Sequence, residues 1–290
     1  MKTSLKKLVK AYSWLGKFSI SLPVGLTTFT GYLLANRGFD IESVFPVAGV
    51  FLLASAASAL NQVQEHKIDL QMPRTRNRPI PSGRISLTGA WVFILIFSVS
   101  GLFILYHFSG LMPFILGIVN FIWYNGIYTP LKRTTAFAVV PGSVVGALPP
   151  LIGWVAAGGS MTDQVAVALG FFFFIGQIPH FWLLLLRFGH EYEMAGLQSL
   201  TTRLNNIQIR RLTFVWIVAT ATTAFMLPGF YRFNYTAIVY ILWILSILLV
   251  VKFTGLIRSY REDVEFRSSF LLINVYYFFV MVLLCLDVIL

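Results

Sequence analysis

The chain has 290 residues, 57% of them hydrophobic and 11% charged, with a net charge of +11. So much apolar surface cannot be hidden in the core of a water-soluble globule of this size, and a lipid bilayer is the expected solvent. The positive charge is divided among short polar connections, with no separate soluble domain and no groove-reading motif; this excludes a nucleic-acid partner and points to anionic lipid heads and an anionic substrate. Cys285 is the one cysteine, so no intrachain disulfide can form, and apolar surroundings keep its thiol protonated and inert.

Nine apolar stretches approach or exceed the roughly 20 residues that a helix needs to cross hydrocarbon. They predict an all-α, polytopic membrane protein, one domain over residues 1–290, with spans at about 18–36, 44–61, 88–108, 110–128, 137–157, 164–186, 212–231, 235–254 and 268–289. The first stretch lacks the small-residue cleavage site of a signal peptide and is expected to stay in place, and residues 1–17 are too short and too poor in Ser and Arg for a transit peptide. Basic residues orient the bundle. Lys2, Lys6, Lys7, Lys10 and Lys17 precede span one; Lys67, Arg74, Arg76, Arg78 and Arg84 follow span two; Lys132 and Arg133 follow span four. Arg187, Arg203, Arg210 and Arg211 follow span six, and Lys252, Arg258, Arg261 and Arg267 follow span eight, which leaves only Arg37 and Arg232 on the other side. The positive-inside rule then places the N-terminus and the even-numbered connections in the cytoplasm and the C-terminus outside, expected in a bacterial inner membrane.

The first polar edge follows span two. Asn61, Glu65 and Asp69 are spaced by four, so on a helix continuing out of the span they form one stripe of oxygen donors about 12 Å long. Hard oxygens of this kind suit Mg²⁺, which takes a few carboxylates and fills its octahedron with water and phosphate. Pro73 and Pro79 end the helix, and in an extended segment Arg74, Arg76 and Arg78 would share one side, able to grip phosphate oxygens. A solvated helix end with an orienting basic loop would contain similar residues. Such a loop does not need acids at i and i+4 beside an Asn, and carboxylates at a hydrocarbon boundary are disfavoured unless paired or functional.

Later spans carry further candidates. Pro130 is expected to end span four, leaving Lys132 and Arg133 at the membrane edge, where they either neutralise a departing diphosphate or only mark orientation; Tyr128 is either a cavity residue or an interfacial anchor. Gly142, Gly146, Pro149, Pro150 and Gly153 in span five mean either a cavity or close helix packing. His180 lies about 10 Å along a helix from Arg187, either facing a cavity, where its imidazole could ligate iron, or hydrogen-bonded in the core. His190, Glu191 and Tyr192 form a second polar motif, or a loop without a ligand. Acids after span two and again after span six hint at two four-helix halves facing one cavity.

These strings resemble the UbiA superfamily of intramembrane prenyltransferases, and within it the protoheme IX farnesyltransferases, or heme O synthases. Four blocks carry the resemblance: Asn61 to Asp69 with Arg74, Arg76, Asn77, Arg78, Pro79 and Ser82, Gly83, Arg84; Tyr128, Thr129, Pro130, Leu131, Lys132, Arg133; Pro141, Gly142 through Pro149, Pro150, Gly153, Trp154; and Pro179, His180, Phe181, Trp182 leading to Glu191, Tyr192, Ala195, Gly196. Gln62 and Glu65 stand where that family often has its first two acids, and His190 and Glu191 where bacterial relatives tend to carry two aspartates. The resemblance implies nine helices around a central cavity, farnesyl diphosphate as donor, heme B as acceptor and Mg²⁺ as cofactor. It implies Asn61, Glu65, Asp69 and Lys132 as catalytic, Arg74, Arg78 and Arg133 as diphosphate-binding, and Tyr128, His180 and Trp182 as lining the acceptor cavity. Asn61, Glu65, Asp69 and Glu191 are the implied metal ligands. A prenyltransferase acting on a quinone precursor or other aromatic acceptor has the same fold expectation. A polytopic transporter fits the spans, but predicts polar residues through the bilayer depth and not at one face.

Overall fold

The computed structural model describes residues 2–258 and 266–290. Arg261 lies outside the described residues, as do the side chains of Lys2, Arg258 and Arg267. An amphipathic helix, α1 (Lys2–Leu15), precedes the first span, α2 (Phe18–Asn36). The second span is α3 (Val44–Asp69), and the third is α4 (Leu87–Ile104), which runs into a π-helical turn at Leu105–Ser109. The fourth joins α5 (Leu111–Ile122), a π-helical stretch (Trp123–Tyr128) and α6 (Thr129–Thr134). Two pieces, α7 (Val139–Gly142) and α8 (Val144–Ala156), make the fifth, and α9 (Gln164–Met194) the sixth. The remaining helices are α10 (Asn206–Met226), α11 (Thr236–Phe253), the short α12 (Gly255–Arg258) and α13 (Phe266–Ile289).

Among the described residues nine helical segments are long and apolar enough to cross a membrane, with no strand. They coincide with the nine predicted spans, and the differences lie at the polar ends. Span two continues as helix to Asp69, as the acidic stripe requires, and span six continues to Met194, beyond the predicted 186. Pro130 does not end span four. It occupies the first turn of α6, where its missing N–H is not needed, and the wider π-helical turn before it absorbs the mismatch.

Polarity is distributed as for a bilayer solvent. Leu95, Ile96, Val99 and Phe103 on α4 and Ile244, Ile247, Leu248 and Val251 on α11 are exposed, while Asn61, Gln62, Glu65 and Asp69 are buried. α2 packs on α8, α3 and α13, α8 on α5 and α9, and α9 on α10 and α13. Close approach, not an opening, explains the small residues of span five. A Cβ at Gly153 would overlap the Thr28 carbonyl oxygen, and one at Gly31 the Pro150 carbonyl oxygen, so α2 and α8 touch backbone to backbone. Arg37, at the end of α2, sits 5.8 Å from the Tyr231 ring centroid. The two cations assigned to the sparse side therefore share one end of the bundle with the α10–α11 connection, opposite the acidic stripe.

Candidate active site

The site is built on the last two turns of α3. Asn61, Glu65 and Asp69 are 2%, 6% and 0% exposed, and carboxylates so deeply buried need partners. They have them. Lys132 Nζ lies 2.5 Å from Glu65 Oε1, and Arg78 Nη1 donates to both Asp69 oxygens at 2.8 Å. Asn61 gives its Nδ2 to Thr129 Oγ1 at 3.2 Å, which leaves Oδ1 as the free acceptor beside the acids.

The π-helical stretch delivers Lys132 to this place. Asn125 Nδ2 donates to the Ala57 carbonyl and to Gln64 Oε1, Gln64 Nε2 returns a bond to the Asn125 carbonyl, and the Thr129 hydroxyl donates to the Tyr124 carbonyl. The Asn125 and Gln64 bonds stitch span four to α3, and the Thr129 hydroxyl, held at Tyr124, accepts from Asn61. Lys132 also stands 5.2 Å from the Tyr128 ring centroid, and Tyr128 packs 5.9 Å from Phe181. An aromatic surface thus begins directly beside the ion pairs.

Not all predicted groups converge. The connection after α3 is coiled, not extended: the Thr75 and Arg76 N–H groups donate to the Met72 carbonyl, and the Arg78 N–H to that of Thr75. The three arginines consequently separate. Arg78 turns in to Asp69, Arg76 is exposed, and Arg74 reaches across to span six. There the Arg74 N–H donates to Glu191 Oε2 at 3.1 Å and its guanidinium to the Tyr192 hydroxyl at 3.0 Å, 4.7 Å from the Phe188 centroid. Glu191 and Tyr192 thereby join the two polar edges. His190 does not; its side chain is 82% exposed. Arg133 is also exposed and donates to the Gln64 carbonyl, which fastens α6 to α3. His180 lies 4.6 Å from Phe270 of α13, and Trp182 packs at 2% exposure in an apolar cluster with Val139, Ile178, Leu200 and Ile209. Trp182 is a core residue here.

Gly196 shapes the second edge. Its φ of 71° suits glycine, and the Leu197 N–H donates to the Tyr192 carbonyl, ending α9 just after the Arg74 contacts. The acids do not form a ready-made cage. Among the described residues no group of three or more His, Cys, Asp or Glu is placed to hold a metal. The hard oxygens along this stripe are Asn61 Oδ1 and the Glu65 and Asp69 carboxylates, donors of the kind that fits Mg²⁺ when a diphosphate and water complete its shell. Glu191 belongs to the Arg74 contact instead.

One candidate residue is not singled out by the sequence. Lys17, treated there only as an orienting charge, forms the corner between α1 and α2 in a left-handed conformation (φ 47°, ψ 49°), which costs a residue with a Cβ about 1–2 kcal/mol. Burial pulls its pKa down to about 7, helped by the Arg78 and Lys132 charges and opposed by Glu65 and Asp69, so it shares their field. The unfolded chain holds this proton up to about pH 10.5 and the folded one only to about 7, so stability should rise with pH across that window. Melting of the ligand-free protein between pH 7 and 9 should therefore show an upward slope that Lys17→Met removes; equal slopes would take Lys17 out of the site.

Among the described residues, nine spans with acid–base pairs buried at one end are the architecture of an integral-membrane enzyme with its polar site at the bilayer edge. The chain belongs to the UbiA prenyltransferase family, whose sequence pattern matches residues 24–283. Over 97% of both chains it is 35% identical to a protoheme IX farnesyltransferase of Oleidesulfovibrio alaskensis. Its fold is similar to that of a digeranylgeranylglyceryl phosphate synthase (TM-score 0.76, 17% identity, 97% of this chain and 99% of that one). It is also similar to a UbiA homolog from Archaeoglobus fulgidus bound to GPP and Mg²⁺ (TM-score 0.66, 11% identity, 98% and 99%).

Proposed function

We propose that the protein transfers the farnesyl group of farnesyl diphosphate to a vinyl carbon of heme B, giving heme O, with the basic end of the bundle in the cytoplasm of a bacterial cell and the C-terminus outside. The observation that carries this is the pairing of Glu65 with Lys132 and of Asp69 with Arg78 beside Tyr128; the similarity to a farnesyltransferase of the heme pathway supplies donor and acceptor.

The ion pairs are the resting form of a site that exchanges partners. Without donor, each carboxylate is neutralised by a cation of the chain. When a diphosphate enters, Lys132, Arg78 and Lys17 turn to its oxygens, which frees Glu65 and Asp69; with Asn61 Oδ1 they would hold Mg²⁺. The bound ion would supply positive charge against the developing diphosphate. As the allylic carbon–oxygen bond breaks, its electron pair leaves with the diphosphate oxygen, where the Lys132 ammonium and Arg78 guanidinium offset the added charge. Tyr128, backed by Phe181, presents an aromatic face to the allylic cation. The vinyl π electrons of heme B attack the farnesyl carbon, water adds to the resulting porphyrin-side cation, and a proton is lost, leaving a hydroxyethylfarnesyl group. His180 is the candidate contact for the porphyrin, held against Phe270.

Purified protein given heme B, farnesyl diphosphate and Mg²⁺ should yield a product with the mass of heme O. Farnesol alone would refute heme as acceptor, and prenylation of a quinone precursor in its place would establish another acceptor on the same site.

A further inference from the structure

The corner that carries Lys17 is held from an unexpected direction. Gln62, 0% exposed, lies on the α3 face that also carries Glu65 and Asp69, three and seven residues further on. Its amide does not face the acids' cations. Nε2 donates to the Leu15 carbonyl at 2.8 Å and to the Trp14 carbonyl at 3.3 Å. Those are the last two residues of α1, directly before the Gly16–Lys17 corner. One side chain from α3 thus takes the Leu15 carbonyl that the helix end leaves over, and shares the Trp14 carbonyl with the Lys17 N–H at 3.2 Å.

Other contacts brace the same corner. The Ser21 hydroxyl donates to the Gly16 carbonyl at 3.1 Å, and the Ser21 N–H to that of Lys17 at 3.0 Å. The Arg84 guanidinium covers the Trp14 ring at 4.5 Å, and Leu15 is fully buried with Ala59 and Phe93. Among the described residues only Lys17 and Arg37 are non-glycine residues at positive φ. A lysine kept in a disfavoured conformation by several independent bonds marks a position that the fold over-determines.

We propose that Gln62 is a positioning residue for prenyl transfer: by holding the Trp14 and Leu15 carbonyls it fixes the α1–α2 corner that presents the Lys17 ammonium to the donor's diphosphate. The proposal rests on the Glu65–Asp69 edge being the diphosphate site. Gln62 itself touches neither donor nor acceptor, and acts through Lys17. Its loss should weaken donor binding without altering the acceptor.

The test is a double-mutant cycle with Gln62→Met, which keeps side-chain length and removes both hydrogen bonds, and Lys17→Met. Gln62→Met should raise KM for farnesyl diphosphate about tenfold, as loss of outer support commonly does, and leave KM for heme B unchanged. The Ki of inorganic pyrophosphate should rise in parallel, since the effect resides in the diphosphate and not the farnesyl chain. Lys17→Met should raise both more strongly, and the double variant should be no worse than Lys17→Met alone. A Gln62→Met enzyme with wild-type donor KM, or losses that multiply in the double variant, would overturn the proposal. Should Gln62→Met fail to fold, Ser21→Ala loosens the same corner and should give a smaller shift of the same kind; none would also overturn it. Wild-type donor KM in Lys17→Met, with turnover abolished by Asp69→Asn, rejects the Gln62–Lys17 coupling and keeps the site; full turnover in Asp69→Asn rejects the site itself.

Discussion

Replacing Asp69 by Asn will lower heme O formation by about 10³-fold or more, with Glu65→Gln close behind. The size follows from the double duty of each carboxylate. In the ligand-free protein Asp69 holds Arg78 by two bonds of 2.8 Å, and Glu65 holds Lys132 at 2.5 Å; with donor present the same oxygens are proposed to hold Mg²⁺ while the cations move to the diphosphate. An amide in place of one carboxylate removes a hard anionic ligand and also leaves its cation without a docking place before substrate arrives. Loss of one preorganised stabilising group commonly costs about 10²–10³ in rate, and here two are disturbed by one change. Breaking a buried pair from one side also destabilises a fold by about 3–5 kcal/mol. Melting temperature must therefore be recorded beside product yield. Asp69→Glu keeps the charge and displaces the oxygens by one methylene, so it should fold normally and still lose about 10²-fold. Heme O yield from Asp69→Asn within about tenfold of wild type would contradict the assigned role.

The spans and the acidic stripe were legible in the sequence because each depends on local periodicity. Nine apolar runs specify helices whatever their neighbours do, and a spacing of four places Asn61, Glu65 and Asp69 on one side of α3 without reference to the rest of the chain. The arginine connection was not legible in detail. Pro73 and Pro79 exclude a helix but do not choose between an extended strand and the coiled turns that send Arg74 to Tyr192 and Arg78 to Asp69. Pro130 misled for a related reason: proline ends a helix unless it falls in a first turn, and only span four's bonding to Gln64 and Asn61 makes a new first turn there.

Lys17 and Gln62 were hidden more deeply. A lysine before the first span is what membrane orientation alone would place there, and Gln62, though it stands at an acid position of the family motif, shows no partner in the sequence. Their significance comes from contacts across 47 and 48 positions of chain, which bring the end of α1 onto α3. Trp182, which the resemblance implies as a cavity wall, is packed by neighbours on α7 and α10, contacts that no local pattern in its own span specifies.

The second large effect is on the fold. Gly153→Ala should lower the melting temperature of the detergent-solubilised protein by about 5–10 °C, because overpacking of a close contact costs about 1–3 kcal/mol or more and each kcal/mol moves a chain of this size by a few degrees. A methyl group there has no empty direction: besides the overlapped Thr28 oxygen, it would lie 2.8 Å from the Thr28 carbonyl carbon and 2.9 Å from the Tyr32 nitrogen. Backbone atoms cannot rotate away as a flexible side chain can, so α2 and α8 must separate. The consequence reaches the site, since α2 begins at the Lys17 corner and α8 packs on α9, which ends at the Arg74 contacts. Gly38→Ala is the matched control, with nothing within 4 Å of an added Cβ. It should melt with the wild type, and donor KM should rise only in Gly153→Ala. Coincident melting curves for the two variants would mean that α2 and α8 are not joined backbone to backbone, and that the bundle places its lysine by other contacts.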